Sequence, residues 1–276
     1  GNESALMDLY HLRKQGFLIR NFLSKDEVSS VLDNFSKTEQ KNVAKTPSGF
    51  TYPMVFAEYS LRNSGLSEEE LAGKNAEYFR KCANYGEEFK ADFGFDLKSR
   101  IDSMLSHLFG GKQIANPAGI QNIGTYPFGN FRYLVPGGGA MAIHCGNFFQ
   151  HRFETFYSHL SQTVNVTNQL SYFIMLQEAE EGGLFEVFDL KWEEGQTKRD
   201  NLENEEIILA DGSILKPDSD SRYSSIKLRP TPGDLILFQG GSLWHRVIEL
   251  SGSKPRITFG GFLAPSKDME VFYYWT

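Results

Sequence analysis

The stretch "TPGDLILFQGGSLWHRV", residues 231–247, decides how the rest of the chain is read. Pro232-Gly233-Asp234 signals a turn, the apolar residues 235–238 a short buried strand, and Gly240-Gly241 a chain reversal, after which His245 opens the next strand. A histidine at a strand start points inward from rigid backbone, where a metal ligand is held well. Eleven residues further on (256 − 245) stand Arg256 and Thr258, two apart and so on one face of a strand. A guanidinium fork binds a carboxylate bidentately, so this pair suits one end of a small dicarboxylic acid.

Upstream, "AIHCGNFF" (142–149) delivers a second histidine, His144, from an apolar run. Two positions later, where an oxygen-activating iron site carries a carboxylate, the chain has Gly146. Taken alone, His144 reads equally as a hydrogen-bonded histidine of a β interior, and Arg256 as half of a structural ion pair. In this order with His245 and Thr258, they read as one site. Of six histidines only these two adjoin strand-like runs; His151 and His159 follow on a helical stretch as solvated or capping residues.

Around the motifs the chain changes texture near residue 118. Before it come a short helix and a strand at "GFLIRNF"; Ser24 with Glu27 then forms a capping-box pattern ahead of Val28, Val31 and Leu32, and residues 66–108 keep helical apolar spacing until Gly110-Gly111 stops them. Beyond it lie seven short runs such as "FRYLVPGGG", "QLSYFIMLQ" and "PRITFGGFLA", which predict a closed or two-sheet β-structure. "EEIILADGSILKP" predicts a hairpin with a type I′ turn at Asp211-Gly212, projecting from the barrel. The expected plan is a single domain: a helical N-terminal layer over 1–117, then a β core over 118–276 with an inserted loop and hairpin at about 195–225.

With 276 residues, 40% hydrophobic and 14% aromatic, including 23 Phe and 12 Tyr, the chain can bury a large core and still line a pocket with rings. A net charge of −7 without any Lys/Arg block argues against nucleic acid and anionic membrane as partners. Cys82 and Cys145, 63 positions apart (145 − 82), form neither a disulfide framework nor a CxxC motif, so a reducing cytoplasm is expected. No apolar run approaches the roughly 20 residues of a membrane span, and the start lacks a signal-peptide pattern.

The ordered elements His144-x-Gly146, "GDLILF…His245-x-Val247" and Arg256-x-Thr258 resemble the signature of the iron(II)/2-oxoglutarate-dependent oxygenases, with glycine in place of that superfamily's Asp or Glu. This exchange is the mark of the iron-dependent halogenases. The stretches "HCGN", "NQLSYFI", "EEGGLFEVFDLKW", "GDLILFQGGSLWHRV", "PRITFGGFLAPSK" and "YYWT" further resemble the carrier-independent halogenases that chlorinate hapalindole- and welwitindolinone-type alkaloids. The likeness is close from about residue 130 to 276 and loose before 118.

The resemblance implies a double-stranded β-helix, a jelly-roll or cupin-like barrel of the 2-oxoglutarate oxygenase type, flanked by N-terminal helices. It implies iron(II) on His144 and His245, and 2-oxoglutarate on Arg256 and Thr258 with Arg132 as a second anion contact. Six-coordinate iron with two histidines and a bidentate cosubstrate keeps two positions, one for dioxygen and one for chloride or bromide beside Gly146. Ser171 in "QLSYF" is implied to hydrogen-bond the reactive oxygen and turn it from the substrate, so that a carbon radical takes halogen. Asn147 and Phe148 are implied to shape the halide and substrate side. Residues 40–118 and 195–225 depart from these relatives. The expected substrate is a freestanding, largely apolar small molecule such as an alkaloid-like natural product, with no carrier protein. Two other readings stay open: a hydroxylase in which water or Glu186 fills the vacancy, and a non-catalytic ligand-binding barrel.

Overall fold

Short capping motifs start the helices of the N-terminal half. In the computed structural model, which describes residues 4–37, 44–46, 49–63, 65–138, 141–193, 207–209, 211–215 and 222–276, α1 (Ala5–Tyr10) and β1 (Gly16–Ile19) lead into α2 (Lys25–Lys37). There the Ser24 N–H donates to the Glu27 carboxylate (2.8 Å) and the Glu27 N–H to Ser24 Oγ (3.2 Å), the reciprocal pair that the sequence predicts. After β2 (Ala44–Thr46), β3 (Gly49–Tyr52) and α3 (Phe56–Arg62), a second capping box, Ser67 with Glu70, opens α4 (Glu68–Phe93). The helical run does not continue unbroken to Leu108. Gly94, left-handed at φ +82°, ends α4, and Asp96 caps a separate α5 (Leu97–Leu108).

These helices bury one face each: Val28, Val31 and Phe35 from α2, and Tyr85, Phe89 and Phe93 from α4. Their rings meet Phe131 and Phe259 of the sheet beneath, with Phe35 and Phe131 stacked at 4.3 Å. Burying each such phenylalanine contributes about 1.5–3 kcal/mol. No helix among the described residues is long and apolar enough to cross a membrane.

The remaining chain is mostly strand: β4 (Gln113–Ala115), β5 (Asn130–Leu134), β6 (Met141–His144), the short helices α6 (Gly146–Arg152) and α7 (Glu154–Leu160), then β7 (Leu170–Gln177), β8 (Glu181–Gly182) and β9 (Phe185–Lys191). Next come β10 (Ile207–Ile208), β11 (Ile214–Leu215), β12 (Ser225–Leu228), β13 (Leu235–Phe238), β14 (Leu243–Val247), β15 (Leu250–Ser251), β16 (Arg256–Pro265) and β17 (Val271–Trp275). A large sheet runs β1-β13-β7-β16-β5-β3-β2, with β17 also on β16 and β4 beyond it. A smaller one runs β12-β9-β14-β6. Pairing is antiparallel except for β17 with β4. The protein is thus mainly antiparallel sheet with helices.

Two expectations change. Besides the expected strand β1, strands β2 to β4 come from before residue 118, and all four join the large sheet, so 117/118 does not divide a helical layer from a β core. The hairpin at Asp211-Gly212 does form, Ile207 facing Leu215, but only Gly212 has positive φ (+80°), whereas a type I′ turn needs it at both central residues. Nor does the hairpin project. Ile207, Leu209 and Leu215 are buried against Phe188, Leu190 and Trp244 on the outer face of the small sheet. The rest of the predicted insertion, at 194–206, 210 and 216–221, lies outside the described residues.

Candidate functional site

The two histidines become neighbours through strand register. His245 on β14 stands directly opposite His144 on β6, and their ring centroids are 4.4 Å apart. Each ring is fixed from behind. His144 Nδ1 donates to the Ala142 carbonyl (2.7 Å) and His245 Nδ1 to the Leu243 carbonyl (2.9 Å). That sets the tautomer and leaves Nε2 as the lone pair of each imidazole. Burial holds both rings neutral: it pushes His144 down to about 4, helped by Arg132, and His245 well below its ordinary value, helped by His144. A neutral imidazole is the form that ligates a metal.

Both rings border a cavity of about 390 Å³ between the two sheets. The large sheet supplies its polar wall. Arg132 on β5 lies opposite Thr258 on β16 and Thr51 on β3, forming one cross-strand row, and Arg256 comes from the same face as Thr258. Arg256 is 2% exposed, sits over the Phe173 ring (5.3 Å), and its Nε has no hydrogen-bond partner. Burial and the neighbouring Arg132 push its pKa down to about 9. Among the described residues no carboxylate pairs with either guanidinium. Glu58 also borders the cavity but is paired with neither arginine; buried Arg256 and half-buried Arg132, facing one cavity without an ion-pair partner among the described residues, fit a bound dicarboxylate, and two neutral, back-bonded imidazoles fit a divalent metal.

Ser171, on β7, borders the same cavity. A β-carbon at Gly240 would lie 2.2 Å from its Oγ, so the Gly-Gly reversal is what admits this serine. The opposite walls are rings: Phe185 and Phe238 on the His245 side, and Phe149, Phe153 and Tyr157 from α6 and α7.

Two expected pocket residues are not there. Asn147 is buried in hydrogen bonds to Asn168, its Nδ2 donating to Oδ1 (2.8 Å) and its Oδ1 accepting the Asn168 N–H (2.9 Å). Phe148 packs outward with Trp244, Ile143 and Cys145. The helix α6 starts at Gly146, and its 100° turn per residue brings Phe149 and Phe153, four apart, to the cavity instead. That spacing was the sequence signal for them; Thr51 and Asn130 on the polar wall had none. Gly146 itself does not border the cavity. A β-carbon there would lie 2.9 Å from Gly241 Cα and 2.8 Å from Gln169 Nε2.

Glu186 cannot fill the vacancy. It sits on the outer face of β9, paired with Arg246 (2.7 Å) and accepting from Ser225 (2.6 Å). Among the described residues no group of three or more His, Cys, Asp or Glu gathers to hold a metal.

Comparison with known proteins agrees with this geometry. Residues 2–276 match the family described as carrier-protein-independent halogenase WelO5. No curated protein sequence matches the chain significantly. Similar solved structures include an N-substituted L-amino acid dioxygenase from Burkholderia ambifaria AMMD, with 18% identity, a TM-score of 0.58, and coverage of 99% of this chain and 90% of that one. The same enzyme in complex with alpha-KG gives 16%, 0.54, 99% and 90%. At such identities these likenesses show the fold. The chain belongs to the family of carrier-protein-independent halogenases. It is therefore an oxidoreductase, a non-haem iron/2-oxoglutarate halogenase whose family acts on freestanding small molecules.

Proposed function

We propose that the protein halogenates an unactivated aliphatic C–H of a freestanding, largely apolar natural product, with His144 and His245 as its only protein ligands to iron(II). The observation that carries this is the paired, neutral imidazoles with no third ligating side chain gathered beside them among the described residues. The facing sheets are read as the halves of a double-stranded β-helix, whose jelly-roll mouth opens on the cavity.

When bound, iron with 2-oxoglutarate and dioxygen supplies the oxidation that removes a hydrogen atom from the substrate carbon. Arg256 and Thr258 grip the distal carboxylate of the cosubstrate, and Arg132 adds a second positive charge across the strand pair. With only His144 and His245 as protein ligands, the site would leave room for chloride or bromide on the metal, and a bound halide would supply about one unit of negative charge near Arg132 and Arg256. Ser171 would offer its hydroxyl, which makes no other hydrogen bond among the described residues, as a donor on the metal side and so favour halogen over oxygen transfer. Phe149, Phe153, Phe185 and Phe238 exclude water and give a bulky apolar guest a wall to lie on. The mismatch of polar wall and aromatic wall orients the guest.

Anaerobic crystallisation with iron(II), 2-oxoglutarate and bromide tests this. Anomalous scattering should put bromide on the metal beside the two imidazoles. Water or a carboxylate in that position would sink the assignment.

A further inference from the structure

Thr51 on β3 and Asn130 on β5 border the cavity but stand outside the set of side chains read as holding metal, halide and dicarboxylate. Asn130 is 3% exposed, and its carboxamide makes no hydrogen bond among the described residues; Nδ2 is buried without a partner. Thr51 Oγ1 is buried and unpartnered too. Strand register explains both gaps. Across from Asn130 on β16 stands Gly260, which has no side chain to offer, and on the other edge the β3 pairing ends one residue short, at Tyr52 opposite Phe131. Thr51 lies opposite Arg132, whose Nη1 turns to Met141 Sδ instead (3.7 Å).

Folded interiors rarely leave both ends of an amide unmet, since water would have satisfied them in the unfolded chain. Beside a cavity, the missing partner is a guest. The surrounding charge decides what kind of group that guest presents. Asn130 is two residues from Arg132 on one strand face, and Thr51 is the cross-strand neighbour of Arg132, so a cationic group placed against them is repelled. An anionic group would compete with the cosubstrate for Arg132. A neutral group that both donates and accepts matches a hydroxyl and a carboxamide, each of which does the same. We propose that Asn130 and Thr51 form a recognition point for one neutral hydrogen-bonding group of the substrate, a hydroxyl or an amide, carried on the bulky apolar body that the ring wall holds. The inference rests on the halogenase reading of the site and narrows its substrate from largely apolar to amphipathic, with a single polar anchor.

The test titrates matched probes into the whole enzyme loaded anaerobically with iron(II), 2-oxoglutarate and chloride, followed by the visible charge-transfer absorption of the complex. The probes are 1-adamantanol and 1-adamantanecarboxamide, set against 1-methyladamantane, which has the same body without the polar group. Asn130→Leu and Thr51→Val keep the volume and remove the hydrogen-bonding atoms. The expected result is a preference for the polar probes over 1-methyladamantane that falls about tenfold in each variant, with 2-oxoglutarate affinity kept and the melting temperature level or raised by a few degrees. An unaltered preference overturns the proposal. So does an equal loss of 2-oxoglutarate affinity, which would make the pair a cosubstrate contact, or a melting temperature lowered by several degrees in both variants, which would make it a structural one. Should one variant not fold, the other decides. Tighter binding of 1-adamantanamine, the cationic counterpart, than of 1-adamantanol assigns the anchor to Glu58, which also borders the cavity, and overturns the proposal as well. Wild type that binds none of the probes while still responding to chloride refutes the anchor and leaves halogenation standing; no response to chloride takes down the halogenase reading first, and the anchor with it.

Discussion

A β-carbon added at Gly146 would press on the Gly241 backbone at 2.9 Å, a contact that only a shift of the backbone there or in the Gly240-Gly241 reversal can relieve. Gly146→Ala is therefore expected to lose about 1–3 kcal/mol of stability by overpacking, while keeping chlorination. Gly146→Asp carries the same strain and brings a carboxylate to the metal side, so it should lose chlorination and leave at most hydroxylation. Thermal melts and product analysis of the pair separate strain from ligation; chlorination by the Asp variant at the wild-type rate would be fatal to the two-histidine reading. Ser171→Ala removes a hydroxyl that makes no other hydrogen bond among the described residues, and should move the product ratio towards hydroxylation with 2-oxoglutarate affinity unaltered. An unchanged ratio, read by mass spectrometry, removes Ser171 from the mechanism. At this scale the sequence was informative where chemistry dictates the residue type. His144, His245, Arg132, Ser171, Arg256 and Thr258 all border one cavity. It failed at Asn147 and Phe148, because adjacency along the chain ceases to mean adjacency in space once a helix begins at Gly146.

Strand alternation governs the small sheet. Phe185 on β9 and His245 and Val247 on β14 turn to the cavity, while Glu186 on β9 and Trp244 and Arg246 on β14 turn away to the face covered by the β10–β11 hairpin. A one-residue slip of β14 would turn His245 away and bring Arg246 to the cavity instead. The pair Glu186–Arg246 opposes that slip, since both members are at most 4% exposed and the slip would part them. Glu186→Ala is expected to cost about 3–5 kcal/mol by breaking this buried ion pair. Iron affinity should stay within about a factor of two, as for a change with no shared partner. Equilibrium unfolding and iron titration measure the two effects, with Glu186→Gln as the milder substitute; a selective loss of iron binding would restore Glu186 as a ligand. The strands after residue 118 were legible because β-branched and aromatic runs alternate with turn residues. Strands β2 to β4 were not, being only 3 or 4 residues long and held by the sheet they join rather than by their own pattern.

For the whole molecule, one cavity concentrates the buried bases: two neutral imidazoles and two guanidiniums, with a shell of rings between them and water. Such an interior is stable only while its histidines stay uncharged, which makes the metal-free protein sensitive to acid. His144 is lowered in the fold from 6.5 to about 4 by burial, so between those values the unfolded chain binds a proton that the folded one refuses. Stability is therefore complete above pH 6.5 and drains as the pH falls towards 4, by at most about 3 kcal/mol from this one group. His245, lowered further by burial and by His144, acts in the same direction. On the proposed assignment of Arg132 and Arg256 to 2-oxoglutarate, its binding would offset the other pair of bases and should raise the melting temperature, by an amount that grows with the logarithm of its concentration. Chemical denaturation of metal-free wild type and His144→Gln at pH 4.5, 5.5 and 6.5 isolates the histidine contribution, because the general titration of carboxylates is common to both. The wild type should lose stability over this range faster than the variant; parallel curves would mean that His144 takes up its proton inside the fold and is not the neutral ligand that the site requires.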